Sequence, residues 1–421
     1  MKTIAQWVLL ALAGTPFLLA PLTLSPALTL KNMAFVAIAM MVSLALCVLF
    51  VDSKSRGALV SQAEALSRKP LFIVMMLSML ALGISTVLAH DTYFAFFGDL
   101  GRGEGVMVLY AIYTLYIGAV LLFTKKEWRY FWGLTSVAVL IILGVVLVSV
   151  SQGKLRPSAT LGNPIFLAGW SFFGLLGSWY TAQHKDIWYR VLGYGAVFAS
   201  ILTIFISGTR GALLGMAVAS LVVIITLISS GAHVRIGAYT LRRIGILIGI
   251  AMLAFGLLFA STQSAKVWQS IPGLNRIAQG DTTTLTSRAL FLKISLDGFV
   301  ESTPKQQLFG WGWNNYIYFW NQNYDPSVYK YDAASADRAH NKLADVLIMS
   351  GVVGLALYLI LWFFTFKAIA QVMKRQYVLG IGILFVVVSY LVHNMFAFDI
   401  PITFVFFYMM IAHLTDYHHE A

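Results

Sequence analysis

The chain is poor in charge: only 11% of its 421 residues are Asp, Glu, Lys or Arg, whereas 59% are hydrophobic. This composition excludes a soluble globular protein and predicts a polytopic membrane protein. The single cysteine, Cys47, lies in an apolar run, so an internal disulfide is excluded. A cleavable signal peptide is not predicted either, because the first apolar run lacks a small-residue cleavage site and is followed by further spans. No internal repeat is evident.

Apolar stretches long enough to cross a membrane as helices recur along the chain. They lie near residues 4–22, 32–51, 70–89, 105–124, 130–150, 161–182, 189–207, 211–230, 244–262, 342–366, 377–395 and 400–415. The predicted fold class is therefore an all-α polytopic membrane protein with about twelve transmembrane helices. Residues 1–421 are expected to form a single transmembrane domain that contains one large loop, residues 262–341.

The net charge of +12 is a topology signal and gives no reason to expect nucleic acid as a partner. With the N-terminus in the cytoplasm, the inner side carries 16 Lys and Arg residues against 6 acids, a balance of +10. The other side carries 13 against 11, a balance of +2. This asymmetry follows the positive-inside rule. Both termini are therefore predicted to be cytoplasmic and the long loop extracytoplasmic.

The polar stretches fall on one side of this topology. They are residues 90–104, 151–163, 207–211, 262–341 and 393–401. A transporter places polar groups near the bilayer midplane, whereas an enzyme that takes its substrate from the outer leaflet gathers them at one surface. The absence of charge from spans such as 130–150 favours the enzyme. A transporter or flippase, and a non-catalytic lipid-binding partner, stay open as alternatives.

The long loop is predicted to contain an amphipathic helix at the membrane interface. Leu292, Leu296 and Phe299 recur at helical spacing after Arg288, and Gly298 stands near the expected C-terminal end. Arg288 is then either the polar face of this helix or a ligand of an anionic substrate.

The same loop carries Trp311, Trp313 and Asn314 in one short run. Aromatic rings with amides suit the faces and hydroxyls of sugars, so these residues are candidates for substrate binding. Aromatic residues are also ordinary anchors at the membrane interface, which is the alternative.

Two further residues are candidates for the chemistry. Arg210 lies between two apolar spans and is flanked by glycines, where it either snorkels to water or faces a phosphate, whose oxygens match the guanidinium fork. His340 precedes the tenth span, and an imidazole with its ordinary pKa near about 6.5 suits a general base at neutral pH. A structural histidine at a helix start is the alternative. The acids form no tight cluster, so neither a metal nor another cofactor is predicted.

Secondary candidates for substrate contact flank these groups. Arg338 and Asn341 are next to His340, although Arg338 can instead pair with Asp337 and Asn341 can cap the following helix. Arg102 and Glu104 stand in the glycine-rich run before the fourth span, where they contact a lipid headgroup or pair with each other.

The motifs occur in a characteristic order: Gly208-Thr209-Arg210-Gly211, Ser287-Arg288, Phe309-Gly310-Trp311-Gly312 and His340-Asn341. This ordered set resembles the O-antigen ligase / O-antigen polymerase superfamily, which includes bacterial protein O-oligosaccharyltransferases. The resemblance covers roughly residues 90–400, including the position of the large loop before the last three spans.

The resemblance implies a GT-C-like bundle and a metal-independent, inverting glycosyltransferase in the cytoplasmic (inner) membrane, with its active site on the periplasmic face. The implied donor is a glycan on undecaprenyl diphosphate. Arg210 and Arg288 match the family's diphosphate-binding arginines, and His340 matches the histidine proposed to activate the acceptor hydroxyl. The acceptor stays open between lipid A core, a growing polysaccharide and a protein.

Overall fold

The structure is a computed structural model of the chain, and it describes residues 1–99, 102–230, 234–236, 238–271, 274, 278, 283–331 and 336–417. Regular structure in these ranges is helical except for one antiparallel pair of two-residue strands, β1 (Arg235–Ile236) and β2 (Tyr239–Thr240). The prediction of an all-α chain is confirmed apart from this pair.

The helices of the first half are α1 (Lys2–Leu10), α2 (Thr29–Val51), α3 (Ser53–Leu66), α4 (Pro70–Val87), α5 (Thr92–Phe97), α6 (Val106–Leu122), α7 (Lys125–Ser151), α8 (Pro164–Ala182) and α9 (Ile187–Ile206). The helices of the second half are α10 (Arg210–Ser230), α11 (Leu241–Thr262), α12 (Lys266–Ser270), α13 (Thr283–Glu301), α14 (Pro304–Phe309), α15 (Tyr316–Gln322), α16 (Lys342–Arg375), α17 (Tyr377–Asn394) and α18 (Pro401–Asp416). Short 3-10 helices cover Ala11–Phe17, Ala159–Leu161 and Pro326–Lys330.

Eight helices in the described ranges are long and apolar enough to cross a membrane. They are α2, α4, α7, α9, α10, α11, α16 and α17. The multi-pass prediction is therefore confirmed, while the number of twelve spans stays a prediction. The expected first span is not one helix, because α1 ends at Leu10 and gives way to a 3-10 helix that contains Pro16. Proline lacks an N–H and its ring clashes with the preceding helical turn.

Helix α8 and helix α18 form the centre of the bundle, since 14 of the 19 residues of α8 and 14 of the 16 of α18 are buried. Helix α11 is at the opposite extreme: only Leu241 and Gly245 are buried. An apolar helix with so little packing against protein is suited to contact lipid.

Polar contacts gather at two ends of the bundle. At the first, the loop end, side chains join segments far apart in sequence: Asn315 Nδ2 donates to Asp91 O (3.1 Å), and Trp313 Nε1 donates to Glu104 O (2.8 Å). At the second, the basic end, Lys69 Nζ donates to Thr415 O (3.0 Å). The long loop thus meets residues 90–104 at one end, as the one-sided arrangement of polar segments predicts.

Helix α16 is broken at Gly351, whose φ of 66° and ψ of −170° are not helical. The backbone of the long loop crosses this break, since Trp311 N donates to Ile348 O (2.8 Å) and Gly312 N donates to Met349 O (3.1 Å). The part of α16 before the break therefore belongs to the loop end. Residues 352–375 continue as a helix that is still long enough to cross a membrane.

Candidate functional site

Arg210 is the first residue of α10, and a tight turn places it there. Gly208 adopts a left-handed φ of 62°, and Thr209 Oγ1 donates to Pro164 O (3.2 Å) at the start of α8. Helix α10 packs closely on α17, because a Cβ at Gly215 would lie 2.4 Å from Ser389 O. The guanidinium group of Arg210 is thereby held at the loop end, beside the turn that follows α17.

Arg288 lies on α13, which confirms that this part of the loop is helical. The predicted apolar stripe is wrong at Leu296, which is 47% exposed, whereas Leu292 and Phe299 are partly buried against the hydrophobic core. The buried face instead contains Phe291 and Ser295: Phe291 packs edge-on against Trp320 (ring centroids 4.8 Å), and Ser295 Oγ is 2.9 Å from Tyr316 Oη. The aromatic side chains of α15 cover this face of α13, and that contact decides its orientation.

Arg210 and Arg288 line one cavity of about 520 Å³, here named the arginine cavity. Its other lining residues are apolar: Phe205, Gly211, Leu213, Leu214, Met216, Ala217, Phe255, Gly256, Phe259, Leu274, Leu285 and Phe396. Helix α10 supplies one wall and α11, with its largely unburied surface, supplies another. An apolar cavity with two guanidinium groups suits an amphiphile that has an anionic head and a hydrocarbon tail.

His340 lies beside the arginine cavity without being one of its lining residues. Its ring stacks on Phe291 (centroids 5.7 Å), one turn after Arg288, and contacts Phe398 (5.3 Å). Phe396, two residues before Phe398, lines the arginine cavity. The turn after α17 therefore contributes Phe398 to the contacts of His340 and Phe396 to the arginine cavity.

The backbone of His340 has a φ of 53°, in the left-handed region. This conformation is uncommon for a residue other than glycine and is favoured where surrounding contacts hold it, often at functional sites. His340, the candidate general base, is thus also one of the described residues with a strained backbone conformation.

The charged side chains near His340 pair across the fold instead of within their own segments. Arg338 Nη2 donates to Glu104 Oε2 (2.8 Å), and Arg102 Nη2 lies 2.8 Å from Asp337 Oδ2. The sequence suggested different pairs, because Arg102 is close to Glu104 and Arg338 is next to Asp337. In the structure each arginine pairs with the acid of the other segment. Residues 102–104 and 337–338 are therefore held together at both positions.

Arg338 and Glu104 are both buried, with side chains 5% and 4% exposed. Burial raises the pKa of the Glu104 carboxyl, against the attraction of Arg338 and Arg102. Burial alone would lower the pKa of Arg338, but the attraction of Glu104, Asp345 and Asp337 raises it on balance. Arg338 also donates to Asn314 Oδ1 (2.5 Å) and to Asp337 O (2.8 Å). Its guanidinium group is engaged by protein atoms and positions the segment that bears His340.

The remaining candidates from the sequence are packed within the protein. Asn341 caps α16, because its Oδ1 accepts from Leu343 N (3.1 Å) and Ala344 N (3.2 Å). The Trp311 and Trp313 side chains are buried, with Trp311 Nε1 donating to Ser302 Oγ (3.2 Å). These rings do not form an exposed aromatic surface, and they do not line the arginine cavity. Arg102 does reach the His340 region: its guanidinium lies 4.5 Å from the centroid of Phe398.

One buried ion pair was not among the candidates. Lys342 Nζ lies 2.9 Å from Asp399 Oδ2, and both side chains are almost fully buried. Asp399 Oδ1 also accepts from Tyr390 Oη (2.5 Å) and Asn394 Nδ2 (3.1 Å). The pair ties the start of α16, two residues after His340, to the turn that carries Phe396 and Phe398. In the sequence, this pair could have been suspected only from Asp399, an acidic residue between two apolar spans.

Among the described residues, no group of three or more His, Cys, Asp or Glu side chains is placed to hold a metal ion. The absence of a metal from the chemistry stays a prediction. The positive charge that faces the arginine cavity comes from Arg210 and Arg288.

Comparison with known proteins adds one finding. Residues 195–359 match a family model described as O-antigen ligase. The matched stretch contains Arg210, Arg288 and His340, while no curated protein matches the chain. Together with the order of its motifs, this match over part of the chain supports membership of the O-antigen ligase-related superfamily.

Proposed function

We propose that this protein is a metal-independent, inverting glycosyltransferase of the O-antigen ligase type. It moves a glycan from undecaprenyl diphosphate to an acceptor hydroxyl on the outer face of the cytoplasmic membrane. The observation that carries the proposal is that Arg210 and Arg288, more than 70 positions apart in sequence, line one apolar cavity.

The donor would bind with its diphosphate between the two guanidinium groups and its polyprenyl tail along α10 and α11. Phe255, Gly256 and Phe259 of α11 supply an apolar wall on a helix that is mostly unburied. Lateral entry from the bilayer is therefore consistent with the geometry, because the tail never has to leave an apolar environment.

The transfer step needs one base and one stabilised leaving group. Neutral His340 accepts the proton of the acceptor hydroxyl as the oxygen attacks the anomeric carbon of the glycan. The bond from this carbon to the phosphate oxygen breaks on the opposite face, and undecaprenyl diphosphate leaves with the electron pair. Arg210 and Arg288 stabilise the growing negative charge, as preorganised cations do in other group transfers.

The residues around His340 support this role by positioning it. The Glu104–Arg338 and Arg102–Asp337 pairs hold the segment before it, and the Lys342–Asp399 pair holds the helix after it. Ion pairs on both sides of residue 340 thereby stabilise its left-handed backbone conformation. Trp311, Trp313 and Asn314 support the loop from within, and Arg102 is the candidate for contact with the glycan or the acceptor.

The acceptor distinguishes three versions of the same chemistry. A ligase transfers a finished glycan once to lipid A core, a polymerase extends a growing polysaccharide, and a protein O-oligosaccharyltransferase modifies a protein hydroxyl. Nothing in the described residues favours one acceptor over the others.

The test is transfer from purified undecaprenyl-diphosphate glycan by the full chain in detergent with EDTA. Wild type is compared with His340→Ala and Arg288→Ala. Lys293→Ala is the matched control, because Lys293 is a cation on the same helix, is 68% exposed and pairs with Asp297 (3.0 Å). Candidate acceptors are supplied in parallel.

Wild type and Lys293→Ala are expected to release undecaprenyl diphosphate and to place the glycan on an acceptor in the presence of EDTA. His340→Ala and Arg288→Ala are expected to lose this activity. Full activity in His340→Ala removes the histidine-base mechanism. Absence of turnover by every form, with all acceptors, favours a transporter or a non-catalytic binding partner instead.

A further inference from the structure

A second cavity, lined by more polar residues than the arginine cavity, lies at the basic end of the bundle. It has a volume of about 390 Å³. It is lined by Lys125, Trp128, Arg129, Tyr180, Gln183, His184, Lys185, Gln376, Leu379, His413, Asp416 and Tyr417, and is here named the basic cavity. None of the residues assigned to glycan transfer contributes to it.

The basic cavity is separated from the arginine cavity by the length of a membrane-spanning helix. His184 and Lys185 immediately precede α9, and Arg210 follows its other end. A helix of 20 residues rises about 30 Å. The two cavities therefore face opposite sides of the bilayer, and the basic cavity lies on the side that the charge distribution predicts to be cytoplasmic.

Arg129 and His184 present a conflict of hydrogen-bond donors in this cavity. Asp186 N, which can only donate, lies 3.0 Å from His184 Nδ1, so the proton of a neutral ring is on Nε2. This places an N–H of His184 3.1 Å from Arg129 Nη1, which also can only donate. An anionic oxygen that accepts from both groups removes the conflict.

A second donor atom of Arg129, Nε, also lacks a hydrogen-bond acceptor. Its Nε is buried and has no hydrogen-bond partner among the described residues. A buried donor of this kind is unfavourable unless a ligand or water completes it. Arg129 thus has two nitrogen atoms in need of an acceptor, Nε and the Nη1 that faces His184, and phosphate oxygens are strong acceptors for a guanidinium group.

The charges and the walls of the cavity indicate the kind of anion. Among the described lining residues, three cations (Lys125, Arg129 and Lys185) face one carboxylate, Asp416, which accepts from Trp128 Nε1 (2.9 Å). The aromatic and apolar side chains of Trp128, Tyr180 and Leu379 line the same space. A phosphate attached to a lipid satisfies both features, and basic pockets between helices on the cytoplasmic side are suited to such headgroups.

We propose that the basic cavity binds the phosphate of an anionic membrane lipid. The Arg129 guanidinium and the His184 Nε2–H donate to the phosphate oxygens, and Lys125 and Lys185 add attraction from the rim. This site is independent of the proposed glycan transfer.

The proposal is tested by native mass spectrometry of the purified full chain in detergent, titrated with phosphatidylglycerol, with phosphatidylethanolamine, or with inorganic phosphate as competitor. The variants are Arg129→Gln and the double variant Lys125→Ala/Lys185→Ala. The double variant removes two exposed side chains, so it is expected to fold and to test the cavity even if Arg129→Gln does not fold. Lys54→Ala/Arg56→Ala is the matched control, because these exposed cations of α3 lie on the same predicted side but outside the cavity.

Wild type and the control are expected to bind phosphatidylglycerol in preference to phosphatidylethanolamine. Each cation removed from the cavity is expected to weaken this binding about fivefold. Equal binding by the control and the cavity variants overturns the proposal, as does equal binding of the two lipids. Displacement of phosphatidylglycerol by an equimolar amount of inorganic phosphate assigns the site to a free phosphate and overturns the lipid part.

Discussion

Gly310 and Gly351 face each other where the long loop crosses the break in α16. A Cβ at Gly310 would lie 2.3 Å from the carbonyl carbon of Met349, and a Cβ at Gly351 would lie 2.3 Å from that of Leu308. Both residues also have a positive φ, of 80° and 66°. The two backbones can approach this closely only because neither position carries a side chain. This crossing holds the loop that contains His340 on the membrane bundle.

Gly351→Ala is expected to destabilise the protein strongly. The left-handed backbone alone costs about 1–3 kcal/mol for a residue with a side chain, and the clash with backbone atoms of Leu308 adds to this. Thermal unfolding of the purified protein in detergent measures the effect. Gly144→Ala is the control, because Gly144 lies within α7 and its added Cβ would meet nothing within 4 Å. That substitution is expected to be neutral or to stabilise slightly. Equal effects of the two would contradict the close crossing.

Glu104→Gln is expected to lower the free energy of unfolding by on the order of 3 kcal/mol, because it leaves the buried charge of Arg338 without its counter-charge. Denaturation in detergent compares it with Glu64→Gln. Glu64 pairs with Arg68 at 3.0 Å, but these side chains are 66% and 78% exposed, so the control is expected to change stability by about 0–1 kcal/mol. A Glu104→Gln protein as stable as the control would show that the ion pair does not hold the two segments together.

The positions of the helices follow from apolar runs and charge, which are local properties of the sequence. The long helices α7, α9 and α10 lie where the spans near 130–150, 189–207 and 211–230 are predicted. The motif order also indicated that Arg210 and Arg288 serve one site, and they do line one cavity.

The site details depend on contacts between distant residues, and these leave no local pattern. Glu104 and Arg338 are 234 positions apart. From the sequence, Arg102 looked equally suitable as a partner for Glu104, and Asp337 as a partner for Arg338. The broken start of α16 was not predicted, because Gly351 within an apolar run is compatible with a continuous helix. The burial of Trp313 likewise follows from how the loop folds back on residue 104.

His340→Asn separates the proposed catalytic role of His340 from its backbone conformation. Asparagine tolerates the left-handed region better than other non-glycine residues, so the variant is expected to fold as stably as wild type. It lacks the imidazole base, and transfer is expected to fall by about 10²–10⁴-fold. Initial rates of glycan transfer, measured beside thermal unfolding, check both expectations. A stable His340→Asn protein with wild-type rates would exclude the base role.

Ala217→Trp is expected to obstruct the wall that α10 contributes to the arginine cavity. Because the proposed polyprenyl tail lies there, the KM for the undecaprenyl-diphosphate donor should rise while the response to acceptor concentration stays the same. Ala254→Trp is the matched control: it lies on α11, is exposed, and does not line the cavity. An equal change in KM for both variants would argue against a donor tail between α10 and α11.

The central claim is that Arg210 and Arg288 bind the same diphosphate, and a double-mutant cycle tests it most directly. Affinity for undecaprenyl diphosphate is measured in EDTA for wild type, Arg210→Ala, Arg288→Ala and the double variant. Each single substitution is predicted to weaken binding by about 10–100-fold, as loss of a charged hydrogen bond does. The fold-loss of affinity in the double variant is predicted to be smaller than the product of the fold-losses in the two single variants, because the arginines share one ligand. Wild-type affinity in either single variant would contradict the account.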